Sequence, residues 1–246
     1  MKKIYFILAA IAMVSMFSCK KDDGKKDDKK DNEETTETSI KIDGDFSDWS
    51  AIKSGVSSCE LGEENAYPGL LAMKAYADED NLFIYFEYEI QEEQGNGAPI
   101  DIFVNADNNT ATGGVSWLYT DDGMGYEFFV ESEIGFLENN NTAVRNMTDM
   151  AVYSFTGQNG TDAWDAVNGD NGLTKKDVQD FCESAGKVSN GIAKVEISIL
   201  RSVINVTKKG VLGLGISTYF GNWKTSGVLP QGAAVGAEAL MDVTLP

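Results

Sequence analysis

Apolar-rich runs of six to ten residues recur from residue 70 to the C-terminus. They are LLAMKAYA (70–77), NLFIYFEYE (81–89), PIDIFVNA (99–106), YEFFVESE (126–133), MAVYSF (150–155), IAKVEISIL (192–200), VLGLGISTYF (211–220) and ALMDVTL (239–245). β-Branched and aromatic residues dominate them, a composition that suits a pleated, half-buried surface. In the sixth run Val195, Ile197 and Ile199 alternate with Lys194, Glu196 and Ser198, the period of a strand with one wet face. DEDN (78–81) is a turn signal, so the first two runs are expected to form a hairpin. A helix is expected only over TKKDVQDFCESAG, with Thr174 as N-cap, Asp177 three residues on and Gly186 past the end. Many short strands with glycine-bearing turns predict an all-β chain, an antiparallel, jelly-roll-like β-sandwich with long loops and one short helix. Residues 134–172 are rich in Asn, Asp and Gly and are expected to hold long loops, where a rigid sandwich presents its ligands.

The N-terminus departs from this pattern. Two lysines precede an apolar run from Ile4 to Val14. That run is shorter than the roughly 20 residues a membrane span needs, and its layout is that of a secretory signal. Met16, Phe17 and Ser18 before Cys19 resemble a bacterial lipobox, which implies cleavage after residue 18 and lipidation of Cys19. An ordinary signal peptide with an incidental cysteine is the alternative. Residues 19–38, KKDDGKKDDKKDNEETTET after the cysteine, have no apolar content to bury and read as a flexible tether. Such a segment reaches about 65 Å fully extended and averages nearer 25 Å as a coil. Lys21, Asp22 and Asp23 resemble the export signal that sends lipoproteins of Bacteroidetes to the outer face of the outer membrane; a solvated charge run reads the same. Residues 39–246 are left as one folded domain.

Charge and missing residue types narrow the chemistry. The formal net charge is −19, and the tether is nearly balanced, so the excess lies on the folded part. That opposes nucleic-acid binding and docking on anionic lipid, but not neutral glycans or calcium. Histidine is absent. This removes Ser-His-Asp and Cys-His nucleophile systems, most zinc sites and His-ligated haem, while paired carboxylates remain open. Cys59 and Cys182 are one pair in an exported chain and are candidates for a disulfide.

Four segments together carry a family resemblance. IKIDGDFSDW (40–49) looks like the opening signature of family 9 carbohydrate-binding modules and their DOMON-like relatives. AYADEDNLFIYFEYE (75–89) resembles their aspartate-bearing turn before an aromatic strand. DIFVNADNNTATGG with YEFFVE (101–131) is similar to a strand and turn of many Bacteroidetes surface proteins. KVEISILRSVI (194–204) resembles the late strand that carries a glutamate. The resemblance implies a β-sandwich, sugar binding as the usual role and often a structural calcium. Trp49 is expected to pack in the core rather than to hold sugar.

The stretch NADNNTATGG (105–114) supplies side-chain oxygens from Asn105, Asp107 and Asn109 at alternate positions. It is not an EF-hand loop, since Thr110 stands where Gly is needed and Ser116 where Glu is needed. Two readings stay open: an Asx-rich turn ending on Gly113 and Gly114, or a calcium site completed by a distant carboxylate such as Glu131 or Asp121. Three of the four tryptophans lie in loop-like settings, Trp117, Trp164 and Trp223, with Tyr119, Asp165 and Asn222 as polar companions. Flat rings beside amides and carboxylates are what a sugar needs, and these six form the candidate ligand set.

These features are expected to make a non-catalytic cell-surface lipoprotein, held to the membrane by its N-terminal lipid and binding a glycan weakly. The alternatives are an adhesion module that docks on another surface protein without a sugar ligand, and a carboxylate-based glycoside hydrolase.

Overall fold

Each apolar run folds as a strand, and the alternation within it decides which face turns inward. The computed structural model describes residues 39–63, 65–91, 97–116, 118–119, 124–135, 148–162, 173–177, 182–231 and 240–246. The elements in chain order are α1 (Ser47–Ala51), β1 (Ser57–Glu60), β2 (Leu70–Ala77), β3 (Asn81–Glu89), β4 (Gly97–Asn105), β5 (Phe128–Gly135), β6 (Thr148–Phe155), β7 (Leu173–Asp177), β8 (Cys182–Ser189), β9 (Ile192–Leu200), β10 (Gly210–Tyr219), β11 (Thr225–Leu229) and β12 (Met241–Leu245). They form two antiparallel sheets, one ordered β1-β2-β3-β9-β8 and the other β11-β10-β4-β5-β6-β7, with β12 sharing the β11 side of β10. The all-β sandwich expected from the strand pattern is the observed architecture.

The core lies between the sheets. Met73 and Ala75 of β2, Ile84 and Phe86 of β3, and Val195 and Ile197 of β9 meet Ile100 and Ile102 of β4, Val130 of β5 and Leu214 and Ile216 of β10. Burying one such side chain is worth about 1.5–3 kcal/mol, so this layer supplies most of the stabilisation. Along one margin the sheets are stitched together, where Gly69 N–H donates to the Ser226 carbonyl at 2.8 Å. A Cβ at Gly227 would stand 2.4 Å from the Leu70 nitrogen, so this close approach requires glycine.

Residues 39–52 cover the outer face of the five-stranded sheet, where Ile40 and Trp49 pack on Phe83 and Tyr85. Glu196 of β9 is fully buried there. Its Oε1 accepts the N–H groups of Asp43 and Gly44, at 2.9 and 2.6 Å, and its Oε2 accepts the Trp49 indole N–H at 3.2 Å. The IDGDFSDW segment therefore wraps a carboxylate, and Trp49 is a packing residue.

The helix expected from Thr174 does not form. β7 and β8 occupy the described parts of that stretch, residues 178–181 lying outside them, and β8 pairs with β9 along its whole length, from Cys182 opposite Ile199 to Ser189 opposite Ile192. The turn decides this. Asn190 and Gly191 both adopt positive φ, 53° and 78°, as a two-residue hairpin demands, and β9 thereby templates β8 as a strand. The short helix lies instead at Ser47–Ala51.

Candidate functional site

Residues that alternate with the core positions of β4, β5, β6 and β10 face away from the sandwich. Pairing sets them in rows: Ser217, Asp101 and Glu131 in one, Gly215, Phe103, Phe129 and Tyr153 in the next. Residues directly opposed in an antiparallel ladder have Cα atoms about 4.5–5.5 Å apart, so Asp101 and Glu131 are immediate neighbours on this face.

The β4–β5 connection folds back over the rows. Leu118, Tyr119, Met124 and Tyr126 pack on Phe103 and Phe129 in a second apolar cluster, outside the main core. Glycine at 215 makes room, because a Cβ there would lie 2.6 Å from the Tyr119 hydroxyl oxygen. Beside this cover a cavity of about 610 Å³ remains open. That volume suits a small ligand. Asp101 and Glu131 lie on its sheet side, Asp162 lines it from the segment after β6, and Tyr126, Tyr153 and Trp223 give it aromatic walls. No lysine or arginine lines it among the described residues.

Asp101 is only 4% exposed. Its Oδ2 accepts the Tyr219 hydroxyl at 2.8 Å, and that hydroxyl lies 2.7 Å from Ser217 Oγ. Its Oδ1 is buried and has no hydrogen-bond partner among the described residues. Burial foremost, with the Glu131 carboxylate adding to it against the Tyr219 hydrogen bond, pushes the Asp101 carboxyl up to about 7. The Tyr153 hydroxyl donates to Glu131 Oε1 at 3.4 Å, and the Tyr153 ring stacks on Phe129 with centroids 4.7 Å apart.

Trp223 stands at the rim. It is 56% exposed, the only large hydrophobic side chain so exposed among the described residues, and its ring lies 5.6 Å from that of Tyr219. It also has φ of 63°, a left-handed conformation that costs a bulky residue about 1–2 kcal/mol. The β10–β11 turn imposes it: Trp223 N–H donates to the Phe220 carbonyl at 2.8 Å and Phe220 N–H to the Lys224 carbonyl at 2.9 Å.

Of the candidate ligand residues, Trp223 lines the cavity and Asn222 is the turn residue beside it, its Oδ1 accepting the Lys224 N–H at 3.1 Å. Tyr119 is a correction. It is buried in the cover, and its hydroxyl is directed at the carbonyls of Ile216 and Leu229, both at 3.1 Å, so it supports the cavity without facing a ligand. Trp117, Trp164, Asp165 and the lipidation candidate Cys19 lie outside the described residues. The strand acids and rings, Asp101, Glu131 and Tyr153, were not singled out as sugar ligands by sequence. Their signal was an acid at the outward position of each of two adjacent strands, which becomes informative only with the register.

The Asn105–Asn109 stretch is built as a turn. Asn109 N–H donates to Asn105 Oδ1 at 3.1 Å and to Asp107 Oδ1 at 2.9 Å, and Ala111 N–H donates to Asn109 Oδ1 at 3.1 Å. Thr112 Oγ1 donates to Asp107, and Asn108 takes the left-handed φ of 53°. Glu131, named as a distant carboxylate for this loop, belongs to the cavity instead. Glu127 is the acid that reaches the loop, its Oε2 accepting Ala106 N–H at 2.7 Å. Among the described residues no three acids or cysteines cluster as a metal site.

Cys59 and Cys182 are not joined in a disulfide. They sit on the opposite edge strands of the five-stranded sheet, β1 and β8. Four strand spacings of about 4.8 Å put them roughly 19 Å apart, against the 4.4–6.8 Å that a disulfide spans. The pairing expected from their number is thereby corrected.

No protein-family model matches this chain, and no curated protein is significantly similar to it.

Proposed function

We propose that the protein is a non-catalytic, lipid-anchored cell-surface lipoprotein whose sandwich binds a carbohydrate in the cavity over β4, β5 and β10. The observation that carries this reading is the pairing of aromatic walls with acids inside one cavity of small-ligand size. Rings offer flat faces to the C–H side of a sugar, and carboxylates accept its hydroxyls. The strained backbone of Trp223 supports it further. Glycine would suit that φ better, and strain kept at an exposed ring is a pointer to function. Among the described residues Trp223 is the only exposed large hydrophobic side chain, and it stands at the rim of this cavity.

Trp223→Gly tests the reading. The substitution relieves the strained φ while removing the rim ring, so the melting temperature is expected to hold or rise. Binding on a glycan array or in affinity electrophoresis is expected to vanish. Open sugar sites of this kind bind with Kd in the micromolar to millimolar range, about −8 to −4 kcal/mol. Undiminished glycan binding by the variant, or no glycan bound by the parent, overturns the proposal. For the anchor, Cys19→Ser is expected to release the protein from membranes.

A second reading, glycoside hydrolysis, draws on the Asp101–Glu131 pair, since two carboxylates at one cavity are the minimum for that chemistry. Product analysis after long incubation with oligosaccharides separates it from binding, with Glu131→Gln as the control.

A further inference from the structure

Asp101 borders the cavity without opening to it. It is 4% exposed, its Oδ1 is buried, and its Oδ2 accepts the Tyr219 hydroxyl at 2.8 Å. Burying a carboxyl is unfavourable unless its oxygens are hydrogen-bonded, and among the described residues the phenol of Tyr219 is what this one holds. Ser217, paired directly with Asp101 across β4 and β10, has its Oγ 2.7 Å from the same hydroxyl. Two strands thus grip one phenol oxygen.

The grip falls where the regular ladder ends. Pairing of β10 with β11 slips by one residue between Thr218 and Tyr219, and β10 stops at Tyr219. Irregularities of this kind re-aim a side chain or end the pairing. The turn that follows carries Trp223, 56% exposed at the cavity rim. Among the described residues its one ring partner is Tyr219, with centroids 5.6 Å apart and planes at 50°. An exposed indole samples several staggered rotamers unless a neighbour limits it. A ring already held in its bound orientation loses less freedom when a ligand arrives. We infer that Asp101 is a positioning residue for the rim: through the Tyr219 hydroxyl it fixes the phenol on which the Trp223 indole rests. The inference relies on the carbohydrate reading above for the ligand that the indole meets, and it adds the residues that aim the ring.

The link carries a pH signature. Asp101 titrates at about 7, raised foremost by burial. As an anion it accepts a charge-assisted bond from Tyr219, and as a neutral acid a weaker one. The hold on the phenol therefore tightens as pH rises through 7. The titratable groups around Asp101 are Glu131 on β5, Tyr219 on β10 and Tyr119 in the cover. Burial pushes both tyrosines further above their ordinary range, so neither titrates near neutral pH.

The test is a fluorine NMR titration of the full chain labelled with fluorotryptophan, without ligand, across the neutral pH range. The Trp223 resonance is identified by its loss in Trp223→Phe. In the parent it is expected to shift in one step centred at about 7. Tyr219→Phe keeps the acid and the ring, removes only the hydroxyl, and is expected to abolish that step. Asp101→Asn is expected to abolish it too; should that variant fold poorly, the parent and Tyr219→Phe decide the matter by themselves. A Trp223 resonance indifferent to pH in the parent overturns the inference. So does an undiminished step in Tyr219→Phe, which shows that charge alone reaches the indole. On a glycan array above neutral pH, Tyr219→Phe is expected to weaken the parent's signals by about fivefold, and undiminished signals also overturn the inference. Absence of any parent signal overturns the carbohydrate reading alone, and the titration still decides the role of Asp101.

Discussion

Arg201 shows how one residue can hold a turn through backbone carbonyls alone. It is 2% exposed and spends its guanidinium on carbonyls: Nε on Val206 at 2.8 Å, one terminal nitrogen on Lys208 at 3.1 Å and the other on Asp78. The fork geometry of arginine fits three diverging acceptors, and a lysine reaches one or two at most. Arg201→Ala is expected to lower unfolding free energy by about 3 kcal/mol and Arg201→Lys by roughly 2 kcal/mol, read from denaturant midpoints at unchanged m-value. Asp101 makes a different prediction, in pH. Its carboxyl titrates at about 7 in the fold and near 4 in the unfolded chain. Below pH 4 both states hold the proton and the group contributes no difference. Between 4 and 7 the unfolded chain gives up its proton first, so stability falls as pH rises, by up to about 1.4 kcal/mol per pH unit from this group. Above 7 the contribution is level. Asp101→Asn is expected to remove that slope, so that the variant gains on the parent steadily between pH 4 and 7 in thermal melts.

At the scale of elements, the alternating runs found their strands closely. The runs at 70–77, 81–89 and 192–200 coincide with β2, β3 and β9, and the others differ from β4, β5, β6, β10 and β12 by one or two residues at their ends. β1, β7, β8 and β11 were not anticipated. They are short or polar edge segments, whose strand state comes from a neighbour's open ladder rather than from their own pattern. The helix signal of Thr174, Asp177 and Gly186 was misleading, overridden once Asn190–Gly191 closed a hairpin on β9. The loop after β4 belongs to this scale as well. Its side-chain oxygens accept the loop's own N–H and hydroxyl groups, which makes Asp107 a turn residue. Asp107→Ala is expected to cost about 1–2 kcal/mol, and the same loss is expected with calcium present or with EDTA, as measured by melting. A large calcium-dependent shift in the parent, absent from the variant, would instead mark the loop as a metal site.

For the whole molecule, the two sheets share one core while each carries a second apolar layer on its outer face. Residues 39–52 cover the five-stranded sheet around Glu196, and the β4–β5 connection covers the seven-stranded sheet around Phe103. The first cover is closed by hydrogen bonds to a buried carboxylate; the second stops short of Asp101 and leaves the cavity. Stability thus comes from packing and not from a covalent staple. A reductant is expected to leave the melting temperature unchanged, and unreduced mass spectrometry to find both Cys59 and Cys182 as thiols. Burial pushes the Cys182 thiol up to about 12, which keeps it unreactive in the meantime.

The amino-acid order by itself determined the strand class and the alternation that sorts each strand's two faces, and it offered the Asx turn as one of two readings of residues 105–114. These rest on local periodicity and turn chemistry, which act over a few residues. Only the tertiary structure decided that Asp101 and Glu131, thirty positions apart, share one wall with Tyr153 and Trp223. It likewise decided that Tyr119 is spent on the cover and that the cysteines stand at opposite edges. Sheet order and cross-strand register fix such meetings, and they follow from how all the apolar faces pack together rather than from any short stretch of chain.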